Sequence, residues 1–247
     1  MTASATSATT GRRPASAVAG PADLRRATRW LVALLMPVGP AAVALLRYNL
    51  PYLTTSDSKE AVAAVYADQG AESLVLWLGL VAVLTLLPGV YAVIRLTHRR
   101  SPRLSAAAVL LLVPGYLALA YLLSADVLVW TAAKAGVPQA QAVAMYGTAH
   151  PTSNIAAVVF VLGHVLGTVL LGIALWRTRQ IPRPVAIALA VSQPLHFVAA
   201  VIVGSPTLDL FAWGLTTVGM TAAAVAVVRT PDDDWDLPPV TAGRPAV

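Results

Sequence analysis

Six long apolar stretches, each free of charged side chains, dominate this chain. A helix needs about 20 apolar residues to cross the hydrocarbon core of a bilayer, and about 17 is the lower limit. The stretches therefore predict an all-α membrane protein with six transmembrane helices. The predicted helices cover residues 30–46, 73–94, 104–125, 155–176, 184–204 and 210–228.

The composition agrees with this class. Hydrophobic residues make up 57% of the chain and charged residues 11%, whereas soluble proteins carry roughly a quarter charged residues. The chain has no cysteine, which excludes disulfides, thiolate metal sites and cysteine nucleophiles. Its formal charge is +6, but the arginines stand beside apolar segments, so we expect membrane lipids as partners and no nucleic acid. A membrane protein partner and a homo-oligomer are both compatible with the sequence.

The positive charges predict an orientation. When the loops are assigned alternately to the two sides, all but three of the 17 lysines and arginines fall on the side of the N-terminus. The three exceptions are Arg47, Lys59 and Lys134. Because cytoplasmic loops carry the excess of positive charge, both termini are predicted to be cytoplasmic in a multi-pass protein of the inner (plasma) membrane.

The distribution of apolar and polar residues divides the chain into three parts. Residues 1–28 are predicted to be a disordered cytoplasmic arm, and residues 29–229 the six-helix transmembrane domain. Residues 230–247 combine aspartates with prolines and cannot bury a core, which predicts a disordered acidic cytoplasmic tail. Two loops on the side opposite the termini are predicted to be partly helical, over residues 58–67 and 138–146.

A shift of the sequence by 80 residues indicates an internal repeat. It aligns Pro102 with Pro182 and superposes helices two and three on helices four and five. Both hairpins start on the same side, so the predicted repeat is parallel, about an axis along the membrane normal. The shift also places Tyr116 and His196 at the same depth, each two residues after a proline.

Two histidines inside the predicted helices are candidates for function, because ionisable groups in a membrane are costly. His164 in helix four and His196 in helix five each lie twelve residues from the loop between their helices, about 18 Å along the axis. Two imidazoles at one depth could ligate a b-type haem or a metal ion. Alternatively, His196 joins Ser192 and Gln193 in a polar stripe that only packs helices together, with His164 bonded to Thr168 or to a backbone carbonyl.

Other features favour plain structural interpretations. Gly163 and Gly167 form a small-residue pair, which predicts an ordinary helix contact within the chain. Asp126 and Asp209 fall near the outer edge, where they could bind a cation, but they are more simply interpreted as solvated helix ends. No phosphate-binding glycine loop, nucleophile elbow or zinc-protease helix is present, so we expect no enzymatic activity, no catalytic residue and no cofactor, with haem b as the alternative.

Several general features resemble one known family. They are the segment 48–51 after helix one, the short loops that end in Pro102 and Arg103 or in Pro182 and Arg183, and the six-span hydropathy. From about Arg29 to Arg229 the chain resembles small six-helix membrane proteins of high-GC bacteria, classed as a domain of unknown function. The resemblance implies the topology and supplies no activity.

Three functions are compatible with these observations. The first is a non-enzymatic protein that binds a lipid, an apolar ligand or a membrane partner in a central polar crevice. Its predicted ligand-binding residues are Ser192, Gln193, His196, His164 and Tyr116. The second is a redox protein with haem or a metal ion between His164 and His196. The third is a small secondary transporter that uses the repeat and its proline-interrupted helices.

Overall fold

The structure is a computed structural model that describes residues 22–238 of the 247-residue chain. Within these residues the regular structure is helical and contains no strand. The helices are α1 (Arg25–Leu35), α2 (Val38–Asn49), α3 (Ser58–Ala67), α4 (Gln69–Thr97), α5 (Pro102–Lys134), α6 (Gln139–Gly147), α7 (Thr152–Thr178), α8 (Arg183–Phe197), α9 (Pro206–Arg229) and α10 (Asp232–Trp235).

Six helical segments are long and apolar enough to cross a membrane. They are α1 with α2, then α4, α5 and α7, then α8 with the turn that follows it, and finally α9. This confirms the predicted all-α class and the number of spans. Several spans are longer than their apolar stretches, because a helix continues past the hydrocarbon boundary while its backbone hydrogen bonds are still made.

Prolines interrupt two of the spans. Pro37 lies where α1 passes into α2, since proline has no backbone N–H and crowds the preceding turn. Pro194 lies inside α8, and four residues later the chain widens into a π-helical turn, Val198–Val203. Gly204 then ends the span at a φ of 68°, a left-handed conformation that glycine adopts without a steric penalty.

The spans run in alternating directions, so the bundle has two ends. We call the end that holds Arg25 and Arg229 the terminal face, and the other end the opposite face. On the opposite face α3 and α6 pack together as a small apolar cap around Val62, Val65 and Val129. Asp57 caps α3 by accepting a hydrogen bond from the Glu60 backbone N–H.

Asp126 on α5 is not a solvated helix end, and that interpretation is wrong. Its carboxylate is half-buried and accepts a hydrogen bond of 2.5 Å from the Tyr52 hydroxyl. Burial, together with the nearby Asp126 carboxylate, raises the pKa of the Tyr52 hydroxyl far above its usual range. The helix runs on to Lys134, so Asp126 lies under the α3 and α6 cap and not beyond it.

The predicted disordered tail is wrong over residues 230–238. There α10 folds back onto the terminal face, and Trp235 is only 3% exposed. The Trp235 ring packs edge-on against Tyr91, with ring centroids 6.5 Å apart, and the Arg95 guanidinium lies over both rings. A single buried aromatic side chain thus anchors an otherwise polar segment.

Most of the predicted arm and the end of the predicted tail lie outside the described residues. The structure describes residues 22–28 of the arm, and α1 already begins there at Arg25.

Glycines bring α5 and α7 into backbone contact. A Cβ atom added to Gly163 would lie 2.5 Å from the Leu111 carbonyl oxygen and 2.8 Å from the Gly115 Cα atom. Gly167 likewise faces Leu112, where an added Cβ would lie 2.6 Å from a side-chain carbon. These contacts are within one chain, which confirms the structural interpretation of this glycine pair.

We expect Gly163→Ala to destabilise the bundle by about 1 to 3 kcal/mol, because the extra methyl group forces α5 and α7 apart. The matched control is Gly214→Ala, since nothing lies within 4 Å of a Cβ added at that position. Unfolding in mixed detergent micelles, followed by circular dichroism, measures both variants. Equal stability of the two variants would contradict the close helix contact.

Candidate functional site

His164 and His196 lie side by side in the middle of the bundle. Their ring centroids are 5.4 Å apart and the ring planes are inclined by 57°. Both side chains are buried, His164 on α7 and His196 near the end of α8. The structure therefore brings together the two histidines that the sequence singled out.

The His164 ring is held by one hydrogen bond and two aromatic neighbours. Its Nδ1 lies 2.6 Å from the Phe160 carbonyl oxygen, one turn earlier on α7. Phe160 stacks on one side at 4.2 Å, and Trp213 from α9 is nearly parallel at 6.1 Å. Its Nε2 is buried and has no hydrogen-bond partner among the described residues.

His196 belongs to a chain of hydrogen-bonded polar groups that leads to the opposite face. Its Nδ1 lies 2.5 Å from one carboxylate oxygen of Asp209, at the start of α9. The other oxygen of Asp209 accepts a hydrogen bond of 2.7 Å from Arg47 Nε. The Arg47 guanidinium in turn donates to the exposed Thr54 hydroxyl. The interpretation of Asp209 as a solvated helix end is wrong, because its side chain is 2% exposed, is paired with Arg47 and is hydrogen-bonded to His196.

The predicted polar stripe forms a second group of hydrogen bonds. The Thr216 hydroxyl lies 2.8 Å from the Ser192 hydroxyl and accepts a hydrogen bond of 2.7 Å from the Gln193 amide. The Gln193 Oε1 atom is buried without a partner among the described residues. The stripe thus ties α8 to α9, whereas His196 on the next turn bonds to Asp209 instead.

Tyr116 lies apart from the histidines. It is 4% exposed and borders a cavity of about 10 Å³ together with Thr168 and Thr216. A second cavity of about 10 Å³ lies beside Arg47 and Asp209. Such a volume holds about one water molecule. Neither cavity can take a lipid chain, so the predicted central crevice for a lipid is not open in this structure.

A haem also does not fit between the two imidazoles. Axial ligation would require a slot for the whole porphyrin between the rings. The ring centroids are 5.4 Å apart, and Trp213 packs against both rings, edge-on to His196 at 5.5 Å. The residues present are therefore compatible with something no larger than an ion at this position.

Sequence reasoning missed Asp209, Arg47 and Trp213 as neighbours of the histidines. Arg47 was counted only among the positive charges opposite the termini, and Asp209 was interpreted as a helix end. One signal could have found them: a single arginine and a single aspartate border the first and last spans on the same side. Opposite charges at one depth in two spans suggest an ion pair.

A larger cavity lies at the terminal face, and we call it the arginine groove. Its volume is about 630 Å³. Four arginines line it, namely Arg95, Arg99, Arg100 and Arg229. Its apolar wall is formed by Leu96, Ile181, Ala222, Val225 and Ala226, and the remaining lining residues are Gln180, Pro182, Thr230, Pro231, Asp234 and Trp235.

The acidic tail borders the arginine groove and pairs with the terminal face. Two of its ion pairs are to the groove arginines, Arg95 with Asp236 at 3.1 Å and Arg99 with Asp234 at 3.8 Å. The Leu237 backbone N–H and the Arg95 guanidinium lower the pKa of Asp236, so its carboxylate is charged at neutral pH. Two further pairs join the tail to α1, between Arg25 and Asp233 and between Arg29 and Asp232.

Comparison with known proteins identifies no relative of this chain. No family model matches the chain, and no curated protein or solved structure matches it. The functional inferences therefore rest on the geometry of the groove and of the buried cluster.

We expect Asp209→Asn to cost about 3 kcal/mol of stability, because it leaves Arg47 without its charged partner. The double variant Arg47→Met with Asp209→Asn should lose less than the sum of the two single variants, since it removes both charges. The free energy of unfolding in mixed detergent micelles is measured for Asp209→Asn, for Arg47→Met and for the double variant. If the losses of the two single variants add up to the loss of the double variant, Arg47 and Asp209 are not coupled.

Proposed function

We propose that the protein is a non-enzymatic membrane protein that binds an anionic phospholipid in the arginine groove. The observation that carries this proposal is the combination of four arginines and an apolar wall around one cavity of about 630 Å³. The guanidinium group matches the geometry of a phosphate, to which it can donate two parallel hydrogen bonds. A lipid offers both a phosphate and an apolar chain, so it complements both parts of the groove.

The orientation is part of the proposal. With both termini in the cytoplasm, the terminal face meets the inner leaflet of the plasma membrane. Anionic lipids give that leaflet a negative surface potential, and basic pockets on this side bind anionic headgroups. Arg99, Arg100 and Arg229 are exposed at the end of their helices and can reach a phosphate at headgroup depth.

The apolar wall supports a lipid over a free anion. Val225 on α9 is 44% exposed and Ala222 lies one turn before it, so the groove is continuous with the lipid-facing side of the bundle. An acyl chain can follow this side while the headgroup stays among the arginines. A free anion has no apolar part that could pack against this wall.

The acidic tail acts as a competitor for the same arginines. Its pair between Arg99 and Asp234 is exposed and 3.8 Å long, and such surface pairs contribute at most about 1 kcal/mol. A phosphate can displace this carboxylate at little cost. Trp235 meanwhile keeps the tail beside the groove through its buried ring.

The parallel repeat of helices two and three with helices four and five is a further part of the proposal. In support, α5 and α8 both begin at a proline-arginine pair, Pro102 with Arg103 and Pro182 with Arg183. The loops before them border the arginine groove through Arg100 and Gln180. The transporter alternative stays a prediction, and no feature of the buried cluster favours it.

We expect the double variant Arg99→Gln with Arg229→Gln to bind phosphatidylglycerol roughly 30-fold more weakly, because each arginine near a membrane surface contributes about 1 kcal/mol. Native mass spectrometry of the detergent-purified protein, titrated with phosphatidylglycerol or phosphatidylcholine, measures the binding. The matched control is Arg103→Gln with Arg183→Gln, which removes two exposed arginines of the terminal face that do not line the groove. Equal losses in the two double variants would overturn the proposed site.

We expect Asp234→Asn to strengthen phosphatidylglycerol binding about two- to fivefold, since it removes the carboxylate that competes for Arg99. Glu60→Gln is the control, because it removes one negative charge from an exposed position on the opposite face. The same titration compares the two variants. If Asp234→Asn leaves the affinity unchanged, the tail does not compete with the lipid.

A further inference from the structure

The buried cluster around the two histidines is independent of the groove, and it contains polar atoms without partners. His164 Nε2 and Gln193 Oε1 are both buried and accept no hydrogen bond from the described residues. The Trp213 Nε1 atom, a hydrogen-bond donor, is also buried without a partner among the described residues. Most buried polar atoms in proteins are hydrogen-bonded, so three such atoms in one region require an explanation. Inside a membrane the cost is higher, because water is excluded.

The hydrogen bonds of the two imidazoles fix which nitrogen is free. His164 Nδ1 faces the Phe160 carbonyl oxygen at 2.6 Å, and His196 Nδ1 faces a carboxylate oxygen of Asp209 at 2.5 Å. Both partners are acceptors, so each Nδ1 carries the hydrogen, and in the neutral form of the ring Nε2 presents a lone pair. A carbonyl or carboxylate on one ring nitrogen is the usual support of a histidine that ligates a metal through the other nitrogen.

The separation of the rings is right for a shared ion. Metal ions bind imidazole nitrogen at about 2.0 to 2.1 Å, which puts two rings on one ion with their centroids roughly 5 to 6 Å apart. The observed separation is 5.4 Å. Gln193 stands three residues before His196 on α8, one helical turn away, and its free Oε1 is a possible third donor.

The surroundings favour an ion with a strong preference for nitrogen. The two imidazoles offer nitrogen ligands, and the nearby charges of Asp209 and Arg47 offset each other at 2.7 Å. Hard cations such as Mg²⁺ or Ca²⁺ require several oxygen ligands, which the pair does not offer. Copper stands at the top of the affinity order for nitrogen ligands.

We propose that His164 and His196 form a binding site for one copper ion within the membrane-spanning part of the protein. Both imidazoles coordinate through Nε2, and Gln193 supplies an oxygen. Asp209 is a positioning residue that holds the His196 ring. A cavity that holds about one water molecule lies beside Asp209, Arg47 and Thr54.

The test uses the full chain purified in mild detergent and titrated with Cu²⁺ alone. Bound copper is counted by elemental analysis after gel filtration, and tryptophan fluorescence is followed at the same time. Cu²⁺ quenches nearby tryptophans, and Trp213 contacts both imidazoles. One of the six tryptophans should therefore be quenched at one equivalent, and Trp213→Phe should abolish this quenching without abolishing copper binding.

The deciding variants are His164→Asn and His196→Asn. Asparagine keeps a hydrogen-bond donor near the position of Nδ1 but has no atom at Nε2, so the local hydrogen bond and the fold can persist. We expect each variant to bind copper at least 100-fold more weakly, and Asp209→Asn to bind it 10- to 100-fold more weakly. The matched control is His150→Ala, because His150 is an exposed histidine on the opposite face.

The outcomes separate clearly. Loss of the single copper ion in both asparagine variants, with binding kept in His150→Ala, supports the site. Unchanged stoichiometry in either asparagine variant overturns it, and so does equal loss in His150→Ala or the absence of copper binding by the unmodified protein. Circular dichroism confirms that each variant compared is folded. None of these results depends on lipid binding in the arginine groove.

Discussion

The hydrocarbon core of a bilayer gives a polar group no partner, and this constraint accounts for the architecture of the protein. The backbone satisfies it through helices that run the whole width of the core. The few polar side chains within the spans satisfy it through contacts between helices. Thr216 with Ser192 and Gln193 ties α8 to α9, and Asp209 with Arg47 ties the last span to the first. Polar residues thus fix which helices are neighbours.

The same constraint separates the protein into two regions with different chemistry. Inside the bundle the cavities beside the polar cluster hold about one water each, so nothing larger than a water molecule or a single ion can be accommodated there. At the terminal face the helix ends and the folded-back tail leave a groove of about 630 Å³ among arginines. Charge is tolerated at this level because the headgroups and water solvate it. A buried ion site and a lipid site can therefore coexist in one small bundle without sharing a residue.

Much of the fold followed from hydropathy, because an uncharged run of about 20 residues has few alternatives to a membrane span. The prediction of His164 and His196 as neighbours followed from their equal distance to one loop. Three side chains near them were not predicted. Asp209 and Arg47 lie far apart in the chain, and their pairing depends on the first span packing against the last. The fold of the tail was missed because one tryptophan among many polar residues carries little weight in a compositional argument, although Trp235 is almost completely buried.

The sequence by itself determined the class of the protein, the number of spans and the two histidines at one level, since each depends only on local hydrophobicity and on the rise of a helix. The tertiary structure decided which ring nitrogens are free, where the cavities lie and which arginines surround one volume. Those properties arise from contacts between spans distant in sequence. The contact of α8 with α9 at Asp209 fixes the free nitrogen of His196, and the packing of the tail on the terminal face shapes the arginine groove, so both depend on shape in three dimensions.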